Sequence, residues 1–155
     1  MKSHSRYAKK LNRKRVLICM IMFFALLPVF SYLHEAGHAL VCIADGNEAE
    51  ISVNFNGGTT LCHGDISNPF PYKISGGLFA GIIGTTIGIA LFRWKIPFIA
   101  LTTIGAGHLA NAVIEAFADS YFTHGTEWSL FLGLVEFVIF FSLMIIFDRK
   151  TVRAV

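Results

Sequence analysis

Apolar residues gather along this chain into four long runs separated by polar or turn-forming stretches. They extend from Val16 to about Ala44, from Ile74 to Phe92, from Ile96 to about Ala118 and from Trp128 to Phe147. Each is close to or above the roughly 20 residues a helix needs to cross a bilayer. Between the first two runs the pattern changes. Ile51-Ser-Val-Asn-Phe55 and Thr59-Thr-Leu-Cys62 alternate around Asn56-Gly57-Gly58, which predicts a β-hairpin. Such a hairpin is either plain loop structure or an edge able to hold an extended peptide by strand addition.

Composition supports the same reading. With 155 residues, 54% hydrophobic, 15% charged and a mean hydropathy of +0.60, the chain is too apolar for a soluble domain of its size. It has room for one bundle of four spans, residues 16–147, between tails at 1–15 and 148–155. The first run is too long for a secretory signal and lacks a small-residue cleavage site. Charge then sets the orientation. The tail holds Lys2, Arg6, Lys9, Lys10, Arg13, Lys14 and Arg15. If it is cytoplasmic, Arg93, Lys95, Arg149, Lys150 and Arg153 also fall inside, and of 13 basic residues only Lys73 lies outside. That bias predicts both termini in the cytoplasm. The fold class expected is an all-α, multi-pass membrane protein: a four-transmembrane-helix bundle with a small extracytoplasmic β-hairpin between helices 1 and 2. The basic tail reads as an orientation signal, and the lipid bilayer, not nucleic acid, is the expected partner.

The second run contains Gly76, Gly77, Gly81, Gly84 and Gly88. Their small-xxx-small spacing permits close helix packing, inside the bundle rather than along a dimer seam. Cys19, Cys42 and Cys62 form no CxxC pair and suggest no disulfide framework. Cys19 and Cys42 read as small core residues, and Cys62 as a loop residue beside His63.

The first run also carries chemistry that lipid tolerates poorly. His34-Glu35-Ala36-Gly37-His38 is an HExxH motif. On a helix its two imidazoles share one face and can bind one ion, and Glu35 beside them could take a proton from an attacking water. Ionisable groups in a membrane span are rare and usually functional. A catalytic zinc usually has three protein ligands, so one must come from elsewhere. The third run offers His108, Asn111, Glu115 and Asp119 along one helical face. Measured from Val16 at about 1.5 Å per residue, His34 and His38 stand roughly 27 and 33 Å up the first span. Measured from Ile96, Glu115 and Asp119 stand roughly 28 and 34 Å up, and His108 only about 18 Å. Height therefore favours Glu115, Asp119 or the loop residue His124 as third ligand and leaves His108 as a core histidine. Glu136, halfway along the fourth run, could pair with His108 or a polar backbone site, or belong to a proton path.

With this motif and stripe, the chain resembles the site-2 protease family of intramembrane zinc metalloproteases, as a small, divergent member. That family pairs HExxH with N-x-x-P-x-P-x-L-D-G on a later helix, and Asn111-Ala-Val-Ile-Glu-Ala-Phe-Ala-Asp119 keeps the step from Asn to Asp. The likeness covers roughly residues 20–122, and HEAGH and the Asn/Asp pair are its specific part. It implies a Zn2+ held by His34, His38 and Asp119, with Glu115 and His124 as rival ligands. It further implies Glu35 as catalytic base and Asn111 as a residue that positions substrate or the hairpin. Ile114 and Ala116 stand where the family has prolines, and Ser120 where it has glycine, so the third helix is expected to run on through Asp119. The function expected is hydrolysis of peptide bonds in membrane-associated substrates. Two alternatives are a non-catalytic metal-binding or structural subunit of a membrane complex, and another type of membrane metalloenzyme.

Overall fold

The computed structural model describes residues 12–54, 57–118 and 125–150. Its elements run α1 (Arg13–Ala44), β1 (Glu48–Asn54), β2 (Gly57–His63), α2 (Pro69–Ala90), α3 (Lys95–Phe117) and α4 (Gly125–Lys150). All four helices are long and apolar enough to cross a membrane, as the four apolar runs predict.

The helix starts follow local capping. Asn12 caps α1, its side-chain oxygen accepting from the Lys14 and Arg15 amides at 3.1 and 3.3 Å. Pro28 sits inside α1, where it removes one backbone donor without ending the helix. α2 begins five residues before the apolar run does, because Asn68 caps the Phe70 amide and Pro69 suits a first helical turn. α3 stops sooner than the missing prolines suggest. Ala118 is already extended, at φ −99° and ψ 97°, so α3 ends at Phe117, and Asp119 lies outside the described residues.

β1 and β2 pair antiparallel from Glu48↔His63 to Asn54↔Gly57, which places Gly57 and Gly58 in β2 rather than in the turn. Both strands alternate between exposed and half-buried residues. Gly58, Thr60 and Cys62 form the half-buried face of β2, opposite Val53, Ile51 and Ala49 of β1. That face packs on α1. Here the expectation of unpaired cysteines fails: Cys42 of α1 and Cys62 of β2 form a disulfide. The pairing depends on the hairpin folding back over the helix, which sequence spacing alone does not reveal.

α2 and α3 make the most extensive helix contact. Added β-carbons on Gly77 and Gly84 would come within 3.0 Å of α3 backbone atoms, as would one on Gly81. The glycine row thus brings two helix backbones together inside the bundle. One apolar cluster, Cys19, Ile99, Ala100, Phe140 and Met144, joins α1, α3 and α4. A second, Phe30, Ala80, Leu101 and Ile104, joins α1, α2 and α3. Outward faces carry large apolar side chains, among them Leu17, Phe24, Ile43, Ile89, Leu130 and Phe137. In water such a surface would be an aggregation liability.

Candidate metal centre

α1 and α3 are in register at their lower ends, where Cys19 Sγ lies 3.7 Å from the Ile96 carbonyl oxygen. From that level His38 and Glu115 are each nineteen residues along, about 28 Å by helical rise. The two residues meet. His34 and His38, one turn apart, bring their Nε2 atoms to 3.1 Å. Glu115 closes a triangle, with Oε1 3.2 Å from His34 Nε2 and Oε2 3.7 Å from His38 Nε2. All three residues are buried, and together they could hold a metal ion.

The donor set fits a divalent cation. A tetrahedral ion with bonds of about 2.0–2.1 Å keeps its ligand atoms roughly 3.3 Å apart, so the triangle needs only small adjustment to accept one. His38 Nδ1 faces the Tyr72 carbonyl oxygen at 2.7 Å. A carbonyl only accepts, so Nδ1 carries the proton and Nε2 presents its lone pair to the centre. Metal-ligating histidines are commonly oriented this way. Asn111 Nδ2 donates to Glu115 Oε1 at 3.1 Å, which fixes one carboxylate oxygen. The other, Oε2, is buried without a hydrogen-bond partner among the described residues. A lone pair and an unpartnered carboxylate oxygen converging in a buried site are costly unless positive charge lies between them.

α2 contributes space instead of a ligand. A β-carbon on Gly76 would lie 2.8 Å from His34 Nε2 and would also collide with His38 Nε2. Glu35 is equally buried but stands outside the triangle. The Thr60 hydroxyl lies 2.7 Å from its Oε2 and 2.9 Å from its backbone carbonyl oxygen. Gly58 lies against the same side chain, where a β-carbon would be 2.7 Å from Oε1.

Two cavities reach these residues. One of about 300 Å³ is lined by His34, Glu35, His38, Thr60, Tyr72 and Glu115, among others. Another, of about 340 Å³, adds His108, Asn111 and Glu136 to the wall containing His34 and Glu35. His108 is therefore not well below the motif: its ring centroid lies 5.3 Å from that of His34 and 6.0 Å from that of Phe30. The height estimate took Val16 as level with Ile96, whereas Cys19 is the residue beside it, an error of three residues or about 4.5 Å. Even so, His108 is no member of the ligand triangle.

Of the expected site residues, His34, His38, Glu35, Asn111 and Glu115 come together, whereas Asp119 and His124 lie outside the described residues. Asn111 makes its hydrogen bond to Glu115, not to the hairpin. Tyr72, Thr60 and Gly76 complete the surroundings without a sequence signal of their own. The Tyr72 contribution at His38 is a backbone carbonyl, Thr60 needs the hairpin to fold back, and Gly76 is one glycine among several. No protein-family model, curated protein or solved structure matches the chain.

Proposed function

We propose that this chain is an intramembrane zinc metalloprotease that hydrolyses peptide bonds of membrane-associated polypeptides, with His34, His38 and Glu115 as metal ligands and Glu35 as general base. The observation that carries the proposal is the division of labour within HEAGH: both histidines point into a buried acceptor triangle, and the intervening glutamate is kept out of it. A structural metal site would gain nothing from a buried carboxylate held beside the ligands. Two histidines and a carboxylate with cavity space beside them suit a four-coordinate zinc with one open position.

Zinc bound there would polarise the scissile carbonyl and acidify the attacking water. Glu35 accepts the water proton as the new C–O bond forms, then returns it to the amine nitrogen as the C–N bond breaks. Asn111 holds Glu115 against the centre. Among the described residues β1 and β2 pair only with each other, so each has an outer edge on which an extended substrate strand could lie. In this reading the four helices span the bilayer, both termini are cytoplasmic and the hairpin is extracytoplasmic. The charge bias supports that orientation, and so does a disulfide on the hairpin side, because disulfides persist in oxidising compartments.

Glu35→Gln tests the reading directly. Zinc content of the purified protein should stay near wild type while cleavage of a membrane-reconstituted substrate falls by about 10²-fold or more. Retained cleavage would reject Glu35 as the general base, and a zinc-loaded wild type that cleaves nothing would favour a non-catalytic metal-binding role. Glu115→Ala should lower zinc occupancy far more than Asp119→Ala; the opposite order would return the third ligand to Asp119.

A further inference from the structure

The inner face of β2 meets α1 at each of its three positions. Gly58 lies against the Glu35 side chain, the Thr60 hydroxyl reaches the Glu35 carboxylate, and Cys62 is bonded to Cys42. Strand and helix keep step along this contact. From Glu35 to Cys42 the helix rises about 10.5 Å. From Thr60 and Gly58 to Cys62 the strand advances about 7 and 13 Å, which brackets that rise. We propose that Thr60 is a positioning residue for Glu35, carried on a strand that the Cys42–Cys62 disulfide fixes to the motif helix. The inference rests on the assignment of Glu35 as general base and adds a residue that the HExxH pattern does not contain.

The chemistry of the contact favours this role. Thr60 has one hydroxyl proton and two acceptors in reach, the Glu35 carboxylate at 2.7 Å and the Glu35 carbonyl at 2.9 Å. An ionised carboxylate is the stronger acceptor, so the proton goes to Oε2 and fixes the rotation of the carboxylate plane. Oε1, on the Gly58 side, is not the oxygen that the hydroxyl engages and remains available as a base. The Tyr72 hydroxyl donates to the Thr60 carbonyl at 3.4 Å, and the Tyr72 carbonyl accepts from His38. One tyrosine thus ties the positioning strand to the ligand histidine. The metal ligands themselves ride on α1 and α3, not on the hairpin. Loss of the Thr60 contact should therefore damage turnover while sparing metal binding.

The test uses the full chain in detergent micelles, zinc-loaded, with fluorescein-labelled casein as substrate. Thr60→Val, which keeps the shape and removes the hydroxyl, should lower kcat about tenfold or more with KM within about twofold and zinc content unchanged. Thr60→Ser should restore kcat to within about threefold of wild type. The Cys42→Ser/Cys62→Ser double variant should lose kcat and keep its zinc. Wild-type kcat in Thr60→Val, or Thr60→Ser no better than Thr60→Val, would overturn the proposal. A thermal-unfolding cycle of Thr60→Val, Glu35→Ala and their combination reads the contact without turnover: shifts that fail to add support it, and additive shifts reject it. Wild-type protein inert toward casein would mean that soluble chains are not its substrates, and the cycle then decides whether Thr60 holds Glu35.

Discussion

Gly76 matters to the metal centre as much for what it lacks as a ligand does for what it offers. A methyl group there would fill space beside the Nε2 atoms of both candidate ligands, 2.8 Å from that of His34. The imidazoles cannot yield freely, because Tyr72 anchors His38 through Nδ1 and the His34 ring packs between those of His38 and His108. Gly76→Ala should therefore weaken zinc binding by about 10- to 100-fold, as loss of an orienting neighbour does. Competition with a calibrated chelator would measure it, and unchanged affinity would mean the imidazoles are looser than this packing implies. HEAGH was legible in the sequence because a helix period puts His34 and His38 on one face whatever surrounds them. Gly76 was visible only as part of a packing row, since no local pattern says which glycine of five meets an imidazole.

At the scale of elements, the centre depends on α2 and α3 lying unusually close. α2 supplies Gly76 and the Tyr72 carbonyl, α3 supplies Glu115 and Asn111, and Gly77 sits where they touch. A β-carbon on Gly77 would come within 2.5 Å of the Ala112 amide nitrogen and the His108 carbonyl oxygen, both backbone atoms that cannot swing aside. Gly77→Val should push α3 away and destabilise the protein by about 3 kcal/mol or more. It should also separate Glu115 from the histidines, so thermal stability and zinc content should fall together. A variant that unfolds early yet keeps full zinc occupancy would show that the ligands do not depend on this contact. The helices were readable because each has an apolar run, and the hairpin because its alternation has period two. The disulfide and the level of His108 were not, because both depend on how separate elements slide past each other. Three residues of slip between α1 and α3 roughly halve the height gap between His108 and His34, whose ring centroids lie 5.3 Å apart.

For the whole molecule, charge and redox chemistry give independent arguments for one orientation. Arg93 lies at the α2–α3 junction, on the opposite end of α2 from the hairpin, and the N-terminal basic cluster ends with Arg13, Lys14 and Arg15 in the first turn of α1. In the orientation proposed above, the positive-inside bias argues for those ends in the cytoplasm, and the Cys42–Cys62 disulfide argues for the hairpin in an oxidising space. That orientation would put the candidate metal centre at the outer end of the bundle, about 28 Å from the level of Cys19. The topology can be read in intact cells with a membrane-impermeant maleimide. Asp65 is exposed beyond β2, and Trp94 is exposed between α2 and α3. Asp65→Cys should label from outside without permeabilisation, and Trp94→Cys only after the membrane is opened. Cys42 and Cys62 should resist alkylation until reduced, since both sulfurs are already bonded. The reverse labelling pattern would place the hairpin in a reducing compartment, where the bond that fixes Thr60 beside Glu35 would not persist, so the same experiment bears on how the general base is held.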